Sequence, residues 1–318
     1  MADSNNNDVN KANSKTSVTI TDNSEILTKF SPKIFETYNQ LALQQSINAY
    51  DLNAQPVSGV GENSYGFVLQ VCLKDSTEEQ QSNKKQNSLQ NILKISPKNP
   101  AFRAHSRIVD LYTREVFMYQ QVFSEFYNIE QERILELKNL KHCDISINDF
   151  KNNCIFDIVP ELVYASLAEE DEFIIFEDLN LKDYKQNLRT NMPTYDLVCA
   201  TFRSIAKFHA MSFILQKRKP EVFKSLVQQM SDNLFTMDME PLTVEFGKKY
   251  IKRTRLMLEQ DGKKPSLKQI QALKYLEQHF KEMCLRCVDG KQLAPYAVIC
   301  HGDFWNNNIL YKYNVSTV

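Results

Sequence analysis

Glycine is scarce in this chain, 7 in 318 residues, and tryptophan occurs once. That scarcity excludes collagen-like and glycine-rich low-complexity architectures. No apolar run approaches the roughly 18 residues that a membrane-spanning helix needs. The polar opening Met-Ala-Asp-Ser-Asn-Asn-Asn lacks the apolar core of a signal peptide. Net charge is also nearly absent: 38 basic side chains stand against 39 acidic ones, a balance of −1. Without a basic excess to displace counterions along phosphates, nothing argues for a nucleic-acid partner, and nothing argues for a membrane one. What is present is ordinary for a soluble protein, 42% hydrophobic and 24% charged residues. The length suffices for one large two-lobed domain or two ordinary ones.

Seven cysteines, at 72, 143, 154, 199, 284, 287 and 300, form no disulfide framework. They read as reduced thiols of a cytoplasmic protein. Cys284 and Cys287 make a lone C-x-x-C with no second pair for a zinc site, and their segment reads as helix. Oligomeric state is not legible.

Residues 1–27 are polar and aperiodic and are expected to be a disordered leader. Helical spacing of Ile34, Tyr38, Leu41 and Ile47 predicts a first helix over 34–47. A glycine-containing turn over 57–66 leads into a strand over 67–73, and a polar tract over 74–90 separates it from a second strand over 91–95. Residues 107–126 carry apolar side chains at 108, 111, 112, 116, 119 and 123, an amphipathic helix. The run Phe173-Ile-Ile-Phe176 reads as a buried strand. Residues 196–215, 244–258 and 267–288 read as helices, the first with Val198, Phe202, Ile205, His209 and Ser212 on one stripe. Short strands are expected at 297–300 and 309–311. Strands come first and helices later, without βαβ alternation. That order predicts an α+β protein with a small antiparallel sheet lobe over 28–178 and a larger, mainly helical lobe over 179–318.

The segment His301-Gly-Asp-Phe-Trp-Asn-Asn-Asn308 carries the sharpest chemistry. An acid followed five positions later by Asn, in a loop between short strands, matches the catalytic loop of phosphoryl transfer. A carboxylate must lie beside the attacking hydroxyl, and an amide oxygen must reach back to a metal on the phosphates. Asp303 is the candidate base and Asn308 the candidate metal ligand. The bland alternative is a surface loop holding the same letters by chance.

Lys94 stands between Leu93 and Ile95 in a strand, and Glu115 lies among apolar neighbours on the next helix. Charges in such settings need partners, and a strand lysine gripped by a helix glutamate is the phosphate clamp of kinases. The turn Gly59-Val-Gly-Glu-Asn-Ser-Tyr-Gly66 could set backbone N–H groups against phosphates, although Ser64 stands where a strict G-x-G-x-x-G has its third glycine. No G-x-x-x-x-G-K-[ST] occurs, which excludes a P-loop ATPase on motif grounds. The strand over 173–176 breaks into Glu177, Asp178 and Leu179, where a linker could offer backbone groups to a base.

Together these pieces resemble the ecdysteroid kinase-like family, relatives of choline and aminoglycoside kinases. The string from His301 to Leu310 is similar to its catalytic loop, Gly61-Glu-Asn63 to its phosphate loop, and Glu115-Val-Phe-Met-Tyr119 to its lysine-partner helix. Phe176-Glu-Asp-Leu179 resembles its hinge and Ile205-Ala-Lys-Phe-His-Ala-Met-Ser212 its long helix. The likeness runs from about residue 30 to the end. It implies a two-lobed protein-kinase-like fold and transfer of the ATP γ-phosphate, with Mg²⁺, to a hydroxyl of a small molecule; steroid alcohols are the named substrates of some members. It implies nucleotide binding by Gly61, Glu62, Asn63, Lys94, Glu115, Glu177, Asp178 and Leu179, a metal on Asn308, and catalysis by Asp303. His209 is expected to pack within the helical lobe.

The family also places an Asp-Phe-Gln-like metal motif shortly after the catalytic loop, followed by further helices, whereas this sequence stops at Val318. The expectation is therefore impaired catalysis, because charge neutralisation at the metal would lack its anionic ligand. Apolar helix faces are expected to be left exposed. The rival reading is a non-catalytic pseudokinase that binds nucleotide or another protein. A protein Ser/Thr kinase is disfavoured, since no A-P-E-type segment is present.

Overall fold

The computed structural model describes residues 17–20, 24–57, 65–76, 87–139, 156–188, 190–230, 242–260 and 265–313. Their contacts divide into two compact units. The first takes the described residues up to Gln120, Val159–Met192 and those from Asn306 on; the second takes Gln121–Ile158 and Pro193–Trp305.

The first unit begins with β1 (Ser17–Ile20) and α1 (Ser24–Leu27), both inside the stretch expected to be a disordered leader. The Ser-Val-Thr-Ile run, β-branched at three of its four positions, pairs parallel with the start of the next strand. Then follow α2 (Pro32–Gln44), β2 (Ala49–Pro56), β3 (Phe67–Asp75) and β4 (Ser88–Ile95). Ser31 caps α2 by accepting from the Ile34 N–H, with Pro32 in the first turn. Next come α3 (Pro100–Ser106), α4 (Ile108–Phe117), β5 (Leu162–Ala168) and β6 (Asp171–Glu177). The sheet order is β1-β2-β3-β4-β6-β5, antiparallel at every pairing after the first.

Alternation along the strands sorts the two faces. Tyr50, Leu52, Leu69, Val71, Leu73, Leu93, Ile95, Phe173 and Ile175 are buried with Ile34, Tyr38 and Ala42 of α2. Ile174 and Phe176 are buried with Ile108, Tyr112 and Val116 of α4. Because β6 is covered on both faces, its sequence is a continuous apolar run rather than an alternating one. Arg103 of α3 forms a bidentate, buried ion pair with Glu172, at 2.7 and 2.9 Å, and Ser96 donates to the same carboxylate at 2.8 Å. Removing one member of such a pair costs about 3–5 kcal/mol, because the other stays buried and uncompensated. After β6, a 3₁₀ turn (Leu179–Lys182) leads to β7 (Tyr184–Gln186), which pairs antiparallel with β8 (Leu310–Lys312).

The second unit is helical in its described elements: α5 (Phe123–Asn139), α6 (Tyr195–Arg218), α7 (Pro220–Gln229), α8 (Leu242–Gln260) and α9 (Leu267–Val288). A π turn, Met118–Val122, joins α4 to α5. Phe123, Phe126, Phe156 and Phe208 form an aromatic cluster with ring centroids 5.1–6.4 Å apart, and His209 packs against Phe208. On α6 the buried residues are Phe208, Met211, Ser212 and Leu215. The predicted stripe therefore meets the buried face only at Ser212, because the aromatic cluster covers the C-terminal half of the helix. Tyr195 and Phe202 are exposed, as are Tyr250 and Leu267, and no residue of α9 is fully buried. Residues 297–300 are not a strand; the Ile299 N–H instead donates to Ser212 Oγ at 2.9 Å. No described helix is long and apolar enough to cross a membrane.

Candidate functional site

In β4, Leu93 and Ile95 face the core under α2, so Gln90, Ile92 and Lys94 face the other side. Glu115 reaches that side from α4, and its Oε2 accepts from Lys94 Nζ at 2.5 Å. Both side chains are about three-tenths exposed, 27% and 29%, which leaves the ammonium accessible while it is held. Tyr112, one helical turn before Glu115, places its ring 5.3 Å from the same ammonium, within cation–π range. The Tyr112 hydroxyl is buried without a hydrogen-bond partner, and burial raises its pKa above the ordinary phenol value.

Gly66 closes this corner. A Cβ there would lie 2.5 Å from the Ile95 carbonyl oxygen and 2.6 Å from the Tyr112 hydroxyl, so only glycine lets the chain pass into β3. The phosphate-loop candidates Gly61, Glu62 and Asn63 lie outside the described residues.

The register places Val68 opposite Lys94, Gln70 opposite Ile92 and Cys72 opposite Gln90. Val68 and Ile92, both half-buried, are thus diagonal apolar neighbours, Val68 beside Lys94 and Ile92 between Lys94 and Gln90 along β4, with Gln70 beside Ile92. Beyond that pair lies the linker. Glu177 accepts from the Glu161 N–H at 2.9 Å and is paired with Lys182. Asp178 is buried, and its carboxylate accepts from Gln70, Gln90 and Asn180. Burial pushes its pKa up, but the hydrogen bonds from Gln90, Gln70 and Asn180 outweigh that and hold it below the usual Asp value. Half-buried Leu179 opens the 3₁₀ turn.

The candidate catalytic loop falls in both units, and each part has its own supports. In the second unit, Gly302 has φ +83°, a left-handed conformation that glycine adopts without strain. The Asp303 N–H donates to His301 Nδ1 at 3.2 Å, and the Asp303 carbonyl accepts from the Trp305 N–H at 3.2 Å. Asp303 is exposed. The bond from Ile299 to Ser212 anchors the chain two residues before His301. In the first unit, Asn306–Asn308 is a 3₁₀ turn fastened to β7 and the residue after it. Gln186 Nε2 donates to the Asn307 carbonyl at 2.9 Å, and Asn306 Nδ2 donates to the Asn187 carbonyl at 3.0 Å. Asn308 is exposed at the end of that turn.

The structure thus joins Lys94 to Glu115 as the sequence implied. It adds Tyr112, Gln70, Gln90, Gln186, Asn187 and Ser212, which sequence reasoning gave no role in the site. Gln90 could have been found by its period-two spacing with Ile92 and Lys94, and Tyr112 by its helical spacing with Glu115. The pairing of Gln186 with the Asn307 carbonyl spans 121 residues and has no local signal.

These groups fit a nucleoside phosphate: a held but accessible cation, with a half-buried apolar strip beside it that suits a flat ring. They do not form a metal cage. Among the described residues, no group of three or more His, Cys, Asp or Glu side chains could hold a metal ion. The single amide oxygen of Asn308 is of a kind that suits a Mg²⁺ that arrives on phosphates and takes few ligands from protein.

The sequence profile of the ecdysteroid kinase-like family matches residues 60–318. No curated protein and no solved structure matches the chain.

Proposed function

The chain belongs to the ecdysteroid kinase-like family, and from that premise we propose that it binds ATP with Mg²⁺ and transfers the γ-phosphate to a hydroxyl of a small molecule. Steroid alcohols are among the candidate acceptors. The observation that carries this reading is the Lys94–Glu115 pair, a cation held at 2.5 Å on the face of the sheet turned away from α2 and backed by the Tyr112 ring.

In this reading each residue has one task. Lys94 neutralises phosphate charge, and Glu115 with Tyr112 keeps its ammonium in place. Val68 and Ile92 cover one face of the base, and the backbone of the Glu177–Leu179 linker addresses its edge. Asp303 orients the acceptor hydroxyl and takes its proton. Asn308 supplies an amide oxygen to Mg²⁺, which, when bound, draws charge from the phosphates. The described cysteines 72, 199, 284, 287 and 300 are free thiols, which suits a cytoplasmic location.

Calorimetric titration with MgATP tests the nucleotide half of the proposal. The wild-type chain is expected to bind saturably and Lys94→Ala at least about tenfold more weakly, the loss of one charge-assisted contact. Equal affinity in the two proteins would remove Lys94 from the site. Binding without any phosphoryl transfer would favour the pseudokinase reading.

A further inference from the structure

The pairing of β4 with β6 ends at Asn91 opposite Glu177. Between that point and β7 no ladder pairing occurs among the described residues, and the backbone bonds there, from Leu181 to Asp178 and from Asp183 to Asn180, are local to the turn. What fastens the linker to the sheet is a side chain. Asp178 Oδ2 accepts from Gln70 Nε2 and from Gln90 Nε2, each at 2.6 Å, while its Oδ1 accepts from the Asn180 N–H at 2.9 Å and from Asn180 Nδ2 at 2.7 Å. Gln70 is held in turn by Gln55 Nε2, which donates to its Oε1 at 2.6 Å. One carboxylate, 3% exposed, thereby ties the linker to β4 and β3 and, through Gln70, to β2.

Four donors fill the acceptor positions of a carboxylate, so the Asp178 side chain has nothing left to offer a ligand. Burying a charge is costly, and apolar packing would often stabilise a fold equally well. A charge retained in such a place calls for a task that depends on position. The place is specific. Gln90 and Lys94 share a face four residues apart, about 13 Å along a strand, with Ile92 between them and Val68 beside Lys94 on the neighbouring strand. The lock thus stands at the end of the apolar strip opposite the ammonium, where the base of a nucleotide would lie when its phosphates reach Lys94.

We infer that Asp178 is a positioning residue for the base of a bound nucleotide: it holds the Glu177–Leu179 backbone at a fixed height beside the Val68–Ile92 strip and touches no ligand itself. The inference rests on the nucleotide-binding reading above. It separates two energies that a general loss of structure would not separate. The base is held by the linker and the phosphates by Lys94, so releasing the linker weakens only ligands that carry a base.

Titration of the full chain with MgATP and, separately, with inorganic tripolyphosphate tests this. Asp178→Asn is expected to lose about tenfold in ATP affinity and to bind tripolyphosphate within about twofold of wild type, whereas Lys94→Ala loses affinity for both. The double variant Gln70→Ala/Gln90→Ala removes the outside donors from half-buried positions. It is expected to repeat the Asp178→Asn pattern, and it carries the test should Asp178→Asn fail to fold. Unchanged ATP affinity, or equal weakening toward the two ligands, overturns the inference. A wild-type chain that binds tripolyphosphate and ATP equally tightly overturns it as well. A wild-type chain that binds neither refutes the nucleotide reading first, and this inference with it.

Discussion

Tyr112 combines two features at one residue: a ring beside the Lys94 ammonium and a hydroxyl buried without a partner. The ring contributes to the site, while the hydroxyl carries an unrelieved desolvation cost of about 1–3 kcal/mol. Tyr112→Phe is therefore expected to unfold at equal or higher denaturant concentration than wild type and to retain ATP affinity. A clear fall in stability would show that the hydroxyl has a partner. Glu172 and Asp178 make a second residue-scale case. Burial raises the pKa of each, but hydrogen bonds, from Arg103 and Ser96 to Glu172 and from Gln90, Gln70 and Asn180 to Asp178, lower it by more, so both end below the ordinary carboxylate range. A carboxylate depressed in the folded state contributes stability that is fully present above its ordinary pKa, about 3.9 for Asp and 4.3 for Glu. That contribution is lost as pH falls through the folded value. Denaturation measured from pH 7 down is expected to show stability falling below about pH 4, and to fall less steeply in Glu172→Gln and Asp178→Asn. Identical slopes in wild type and variants would contradict the assignment.

Among the elements, the bond from the Ile299 N–H to Ser212 Oγ is the point where a helix of the second unit governs the approach to the His301–Asp303 loop. Ser212→Ala leaves a buried donor unpaired and is expected to cost about 1–3 kcal/mol. The amides of residues 299–303 are expected to exchange faster with solvent, and unchanged exchange there would mean that another contact fixes the segment. Element legibility followed apolar periodicity on this scale. The helices α2, α4, α6, α8 and α9 were readable from 3.6-residue periodicity, and β6 from its unbroken apolar run. β2 was not, because Asp51 and Asn53 on its other face and Pro56 at its end look like turn residues although Tyr50, Leu52 and Ala54 alternate beneath them. The periodicity from residue 107 predicts helix only to 126. Beyond it α5 is charge-rich, with Glu130, Glu132 and Arg133, and the π turn at Met118–Val122 breaks the periodicity. The strand expected at 297–300 has no partner strand among the described residues, and only the fold shows that.

At the scale of the molecule, the sequence carried the α+β class and the family through motifs whose chemistry demands particular spacings. Lys94 with Glu115 and Asp303 with Asn308 are such pairs, and the first meets at 2.5 Å. What the sequence did not carry is the support: Gln70 and Gln90 reaching Asp178 across 108 and 88 residues, and β7 fastening the Asn306–Asn308 turn. Contacts at that separation are set by sheet order, which local pattern does not encode. The measurement that tests the central claim most directly is transfer of labelled γ-phosphate from ATP to a panel of small hydroxyl compounds, steroid alcohols included, by wild type and Asp303→Asn at equal concentration. The proposal predicts a phosphorylated acceptor with wild type and a loss of at least about a hundredfold in Asp303→Asn, the scale of a general base. Transfer that persists undiminished in Asp303→Asn, or no transfer by a wild-type chain saturated with MgATP, would contradict it.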